Sequence, residues 1–134
     1  MADRIIDIHP HIIAPDTTRY PHSPIGGIRS DWSAERPFPF EQYIAEMEAA
    51  GVSAAAMVQS ATTYGYNNDY VADSVTTDPR FVGVCTVDIA APDAVQTIEA
   101  WRARGMAGLR LFGAGSTVQS DGRWMIAPET FAVW

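Results

Sequence analysis

Near its amino terminus the chain reads Ile5-Ile6-Asp7-Ile8-His9-Pro10-His11, an apolar run with polar side chains at alternate positions. Side chains alternate between the two faces of a β-strand, so the spacing predicts a first strand with Asp7, His9 and His11 on one face. Two imidazoles at a strand end can converge on one metal ion, and zinc readily takes imidazole ligands. By itself the pair is ambiguous, because two surface histidines beside a buried structural carboxylate would give the same pattern.

Further apolar runs follow this stretch along the chain. Together with the first run they predict four strands, over residues 5–11, 54–59, 81–89 and 107–112. Their short length and apolar character are typical of strands that are buried on both faces.

Segments with helical spacing lie between the predicted strands. The first helix is predicted between Pro39 and Gly51, with apolar side chains three and four positions apart at Phe40, Tyr43, Ile44 and Met47. A second is predicted from residue 67 or 68, where either asparagine can cap it, to before Pro79. A third is predicted from residue 92 or 93 to Gly105, with one face formed by Val95, Ile98 and Trp101. The alternation of strand and helix predicts an α/β fold with parallel strands and right-handed crossovers.

The predicted units amount to half of a closed barrel. A (β/α)8 TIM barrel needs about 250 residues. The chain has 134 residues with four strand-helix units, and the helix of the fourth unit is predicted to begin at Pro128. We therefore expect residues 1–134 to form one domain, the N-terminal half of a TIM-barrel-type fold, either as a fragment or paired with another polypeptide. The connection over residues 12–39 is long enough to predict a functional loop, such as a lid or a wall of a substrate site.

Composition limits the partners of the chain. Lys and Arg number 9 against 16 Asp and Glu, a net charge of −7, which disfavours binding to nucleic acid and to anionic membranes. We expect a small-molecule substrate, and a homo-oligomer stays open. The single cysteine, Cys85, lies in an apolar run and is expected to be a buried, inert thiol. No signal peptide or membrane span is predicted, so we expect a cytoplasmic protein.

In this context the opening stretch resembles the Asp-x-His-x-His motif on the first strand of the amidohydrolase superfamily. The motif positions are Asp7, His9 and His11. Later stretches resemble the amidohydrolase-2 branch in the same order along almost the whole chain: Met57-Val58-Gln59, Asn68-Asp69-Tyr70-Val71, Asp78-Pro79-Arg80-Phe81-Val82-Gly83-Val84 and Gly105-Met106-Ala107-Gly108-Leu109-Arg110-Leu111. That branch includes metal-dependent hydrolases related to sugar lactonases and 2-pyrone-4,6-dicarboxylate lactonase, together with some decarboxylases.

The resemblance implies a divalent metal site at the first strand. His9 and His11 would be two of its ligands, with zinc as the expected ion and manganese as the alternative. The family's further histidine ligands on later strands have no counterpart in this sequence. Its aspartate on the last strand, the expected general base, has none either, so no catalytic residue is assigned within the chain. The remaining histidine, His22, is expected to pack in the first loop or face solvent.

Four other polar side chains near predicted strand ends are candidates for the site. Arg110 suits an anionic group of the substrate, and the resemblance to lactonases implies a carboxylate; an ion pair with Asp7 or Asp88 is the equal alternative. Gln59 would orient substrate through its amide, or be satisfied within the core. Asp7 and Asp88 would support the primary ligands, although Asp88 also suits a helix cap. Tyr64, Tyr66 and Asn68 either line the mouth of the site or serve in turns.

The sequence therefore predicts an amidohydrolase-type hydrolase. Its substrate would be a small, carboxylated molecule with a lactone, ester or amide-like bond, cleaved by metal-activated water. Three alternatives stay open: a decarboxylase of the same branch, a lactonase that needs no metal, and a catalytically incomplete half-barrel that acts as an assembly unit.

Overall fold

A parallel sheet organises the computed structural model, which describes residues 4–29 and 31–111. The strands follow one another in sequence order, β1-β2-β3-β4, and every neighbouring pair is parallel. Their bounds are β1 Ile5–Asp7, β2 Val52–Val58, β3 Phe81–Thr86 and β4 Met106–Arg110. The predicted α/β class with parallel strands is confirmed. Residue 112 and the predicted helix from Pro128 lie outside the described residues.

Helices connect the strands within the described part of the chain. They are α1 Asp31–Glu35, α2 Phe40–Ala49, α3 Ala61–Tyr64, α4 Asp69–Val75 and α5 Ala94–Ala103, with a short 3₁₀ turn at Ile25–Gly27. The helices predicted by spacing correspond to α2, α4 and α5. The short helices α1 and α3 were not predicted, because segments of four or five residues carry too few turns to show a helical period.

The core lies between the sheet and these helices. Phe40, Tyr43 and Met47 of α2 are buried, and they share the core with Ala55 of β2 and Phe81 of β3. The rings of Phe40 and Phe81 lie 4.8 Å apart between centroids in an edge-on arrangement, which aromatic pairs favour. Burying each of these large side chains contributes about 1.5–3 kcal/mol, so the contact between α2 and β3 fixes the helix layer against the sheet.

The opposite face of the sheet is partly open. Ile6 of β1 and Val82 of β3, which pair with Ala54 and Ala56 of β2, are exposed on this face. Ile5 is exposed as well, and Ile8, which follows β1, is 75% exposed. Strand β1 pairs only with β2 among the described residues, so it forms an edge of the sheet. Parallel sheets normally bury both faces, and Ile6 and Val82 mark the surface of the sheet that the described helices leave uncovered.

The first strand is shorter than predicted. It ends at Asp7 and not at His11, because the Asp7 carboxylate accepts the backbone N–H of His9 at 3.1 Å and Pro10 has no N–H to donate. The third strand likewise ends at Thr86 and not at residue 89. The buried face of α5 also differs from the prediction: Ala94 is buried, whereas Val95 is 52% exposed.

The single cysteine and the lengths of the helices also bear on what the sequence predicts. Cys85 is buried and unpaired, and burial raises the pKa of its thiol, as expected for an inert cysteine. Within residues 4–29 and 31–111, no helix combines the length and the apolar character that crossing a bilayer requires.

Candidate active site

The candidate site lies at the carboxyl ends of the parallel strands. His9 and His11 follow β1, Gln59 follows β2, Asp88 follows β3 by two residues, and Arg110 ends β4. Ligand and active sites of parallel α/β folds gather at this edge. The structure brings some of these side chains together and assigns local structural roles to others.

The two histidines of the opening motif are neighbours. Their ring centroids lie 5.1 Å apart, and the rings are nearly perpendicular, at 87°. His9 is exposed, whereas His11 is partly buried. Because β1 has already ended, their proximity comes from the irregular backbone around Pro10 and not from strand alternation.

Hydrogen bonding fixes the proton on the His11 ring. Nδ1 of His11 lies 2.7 Å from the backbone carbonyl oxygen of Val58, at the end of β2. A carbonyl oxygen can only accept, so Nδ1 carries the proton and donates it. In the neutral ring the lone pair is then on Nε2. Histidine ligands of metal ions are usually held in this way, with the second nitrogen donating to a carbonyl or carboxylate.

The surroundings also favour the neutral form of His11. Burial lowers the pKa of its imidazole, while the hydrogen bond to the Val58 carbonyl acts in the opposite direction. The positive charge of Arg110 and the neighbouring His9 lower the pKa of His11 further. A neutral imidazole with a free Nε2 lone pair is the form that binds a metal ion.

Asp7 supports the site from the helix side of the sheet. One carboxylate oxygen accepts the His9 backbone N–H, and the other accepts the Tyr43 hydroxyl at 3.0 Å. This hydrogen bond adds to burial in raising the pKa of Tyr43. Asp7 pairs in register with the buried Ala55, so its side chain faces α2. The prediction that Asp7 shares one strand face with both histidines is wrong, because strand alternation stops at Asp7.

Gln59 has a structural role and is also a candidate for contact with substrate. It is 1% exposed, and its amide nitrogen donates to the backbone oxygens of Gly65 at 2.9 Å and Asn67 at 2.8 Å. Its Oε1 has no hydrogen-bond partner among the described residues. The nitrogen is therefore satisfied within the core, and a contact with substrate through Oε1 stays a prediction.

Asp88 and Arg110 occupy different surroundings. Asp88 is exposed, and its carboxylate accepts the backbone N–H of Ala90 at 3.1 Å in a turn. It does not cap α5, because the N-cap residue of that helix is Asp93. Arg110 is partly buried beside Thr86 in the sheet register, and burial lowers the pKa of its guanidinium. Arg110 lies close enough to His11 for its charge to lower the histidine pKa. Arg110 and His11 therefore lie at the same edge of the sheet, and a common role for them stays a prediction.

Two residues at this edge have roles that the sequence analysis missed. Trp32 of α1 stacks on the His11 ring at a centroid distance of 5.9 Å and an interplanar angle of 22°. Asn68 is fully buried and binds both backbone polar groups of Thr86: Oδ1 accepts its N–H at 2.7 Å, and Nδ2 donates to its carbonyl at 3.0 Å. The length of the 12–39 loop could have indicated that Trp32, which lies within it, is near the site. No sequence pattern indicated the partner of Asn68.

The donor set is a partial fit for a metal ion. The two imidazoles are close, and the hydrogen bond of His11 leaves Nε2 available. No group of three or more His, Cys, Asp or Glu side chains that could hold a metal occurs within residues 4–29 and 31–111. His22 does not join the pair: its ring packs against Tyr64 within the loop, at 5.7 Å between centroids.

The comparisons with known proteins agree with the fold and the motif. Parallel strands joined by helices, together with the similar solved structures described below, define a TIM-barrel-type α/β fold. A sequence model described as amidohydrolase matches residues 6–124, and the chain belongs to that family, in its amidohydrolase-2 branch. The predictions of family and fold class are confirmed. No curated protein matches the sequence at a significant level.

Solved structures resemble the chain over most of its length. One is from Acinetobacter baumannii, is named a probable 2-pyrone-4,6-dicarboxylic acid hydrolase and has citric acid bound. Its sequence is 17% identical and the TM-score is 0.63, and the match covers 98% of this chain and 44% of that protein. A Pseudomonas putida protein with a corresponding name is 20% identical with a TM-score of 0.66, over 94% and 41%. An Agrobacterium tumefaciens protein is 21% identical with a TM-score of 0.61, over 84% and 39%. The chain thus spans less than half the length of each.

Proposed function

We propose that the chain supplies the first half of a metal-dependent hydrolase site. The reaction would be hydrolysis of a lactone, ester or amide-like bond in a small, carboxylated substrate. The observation that carries the proposal is the hydrogen bond from His11 Nδ1 to the Val58 carbonyl, which leaves the Nε2 lone pair of His11, a neighbour of His9, available to bind a metal ion. Membership in the amidohydrolase family, whose superfamily generally uses divalent metals, supports it.

Each residue of the proposed site has a distinct task. His9 and His11 would hold a divalent ion, zinc in the first instance and manganese as the alternative. Such an ion supplies Lewis acidity, which activates water and polarises a carbonyl group. Arg110 would bind a carboxylate of the substrate with paired N–H groups and so orient the scissile bond. Asp7 fixes the backbone at His9 and keeps the first ligand in place.

The first prediction concerns metal binding. We expect the 134-residue chain to bind Zn²⁺ at neutral pH, and His9→Ala or His11→Ala to weaken binding at least roughly tenfold, a loss that even the outer partners of a metal ligand cause. Isothermal titration with Zn²⁺ measures the affinity. His22→Ala is the matched control, because that histidine packs against Tyr64 away from the pair.

Two results of the zinc titration would contradict the proposal. Equal affinities for wild type, His9→Ala and His11→Ala would contradict the proposed ligands. If the wild-type chain binds no Zn²⁺ or Mn²⁺ at all, the metal-dependent reading fails for this chain, and the lactonase that needs no metal or the incomplete half-barrel takes its place.

The second prediction concerns Arg110. The similar Acinetobacter baumannii structure holds citric acid, and both similar proteins with a substrate in their names are named for a dicarboxylic acid. We expect Arg110→Gln to weaken citrate binding by the metal-free chain about tenfold or more, since a hydrogen bond to a charged group contributes about 1.5–3 kcal/mol. Arg104→Gln is the matched control, because Arg104 pairs with Asp69 and Asp73 on the helix side. Equal losses in both variants would show that overall charge, and not Arg110, governs binding.

A further inference from the structure

Trp32 occupies a position that core packing does not account for. Trp32 is 42% exposed, although burying a large aromatic side chain is favourable. Its helix α1 has five residues and lies inside the long connection between β1 and α2. The ring that it covers is that of His11, at 5.9 Å and 22°. Trp32 therefore stays partly exposed to solvent, and its ring covers the ring of His11, a candidate metal ligand.

The segment around Trp32 is tied to the rest of the chain. Arg29 donates from Nε to the Ser33 hydroxyl at 3.1 Å and from Nη2 to the Ser33 backbone oxygen. Ser33 is fully buried. The loop then closes on the chain just after His11, where the Ile13 N–H donates to the Phe38 carbonyl at 2.9 Å. The Arg29–Ser33 bonds are local to this segment, whereas the burial of Ser33 and the Ile13–Phe38 bond hold α1 at the site. The indole therefore extends from a fixed segment.

His11 is consequently restrained in two directions. The N–H of an imidazole lies in the plane of the ring, so the hydrogen bond to Val58 restrains the direction in which Nδ1 points. A single hydrogen bond of this kind still lets the ring tilt about the bond. The stacked indole blocks that tilt from one face. The two contacts together determine the direction of Nε2.

We propose that Trp32 is a positioning residue for His11, whose indole stack, together with the Val58 carbonyl, aims Nε2 toward the space beside His9. Its effect on metal binding rests on the proposed function, whereas its effect on the orientation of His11 does not. Nothing in the stacking requires the indole nitrogen. A phenyl ring at the same position should therefore preserve most of the effect, and a methyl group should not.

The experiment compares wild type, Trp32→Ala and Trp32→Phe in two measurements. In metal-free solution, NMR records the ring-proton shifts of His11, which the ring current of a stacked aromatic moves upfield. Zn²⁺ titration then records affinity, with zinc alone as the probe. We expect Trp32→Ala to remove the upfield shift and weaken Zn²⁺ binding about tenfold, as loss of an outer partner does, and Trp32→Phe to keep most of both. Trp101→Phe is the control, since Trp101 of α5 contacts Arg104 instead.

The outcomes separate this inference from the proposed function. Unchanged His11 shifts in Trp32→Ala would overturn the inference, whether or not zinc binds. Equal losses in Trp32→Ala and Trp32→Phe would also overturn it, because stacking would then not be the cause. If the His11 shifts respond as expected and no variant, wild type included, binds zinc, the positioning role stands and the metal site fails. Because Trp32 is partly exposed, the alanine variant should stay folded, which the backbone amide spectrum checks.

Discussion

Replacing Asn68 with alanine should lower the free energy of unfolding by about 3 kcal/mol or more. The side chain is fully buried, and its amide satisfies both the N–H and the carbonyl of Thr86 at the end of β3. It also donates to the Tyr66 carbonyl at 3.0 Å. A methyl group would leave these backbone groups without a partner, and each unsatisfied buried group costs about 1–3 kcal/mol. Urea denaturation followed by circular dichroism measures the change.

The neighbouring asparagine provides a matched control for this prediction. Asn67 is only partly buried, and its Oδ1 accepts one backbone N–H, that of Asp69, at 2.8 Å. Asn67→Ala should therefore cost only about 1 kcal/mol, as loss of a helix-capping oxygen does. If the two alanine variants lose the same stability, the link between Asn68 and β3 is not the cause.

Replacing Gly65 with alanine should destabilise the chain to a similar or larger extent. Gly65 directly follows α3 as its C-cap, with φ of 61° and ψ of −120°, a conformation that residues with a Cβ rarely adopt. An added Cβ would also overlap the backbone oxygen of Ser23, which is fixed because the Ser23 N–H donates to Thr63. Strain and overlap together should cost about 3 kcal/mol or more.

Gly51 separates these two contributions. It also has a positive φ, 71°, but a Cβ there would meet nothing within 4 Å. Gly51→Ala should therefore show the backbone cost alone, about 1–2 kcal/mol. Thermal and urea unfolding of both variants gives the comparison. A smaller loss for Gly65→Ala than for Gly51→Ala would refute the overlap with Ser23.

The order of elements could be predicted from the sequence because it depends on local patterns. Helix α2 begins directly after Pro39 and ends two residues before Gly51, as the apolar spacing and the two flanking residues indicated. Strand ends were less predictable. Whether β1 continues past Asp7 depends on a hydrogen bond between a side chain and the backbone, and not on hydrophobic alternation. Short helices such as α1 were not predicted, because they have too few residues to show a helical period in the sequence.

The two histidines proposed as ligands could be picked out from the sequence, whereas the residues that contact them could not. His9 and His11 are adjacent in a motif, so a pattern can reveal them. The Val58 carbonyl is 47 residues from His11, and Trp32 is 21 residues away. Such contacts arise only when strand register and loop path are fixed. For the same reason the sequence left the role of Gln59 open, whereas the structure shows its nitrogen bonded within the core.

Ile5 and Ile6 are exposed on β1, which pairs only with β2 in the part of the chain that the structure describes, and this affects association between molecules of the chain. Unpaired backbone groups along a strand edge, flanked by apolar side chains, form a surface on which other chains can add. The net charge of −7 opposes such association through mutual repulsion. This repulsion is screened over about 10 Å at 0.1 M salt and over only about 3 Å at 1 M. Low ionic strength is therefore the condition that keeps separate molecules of this chain apart.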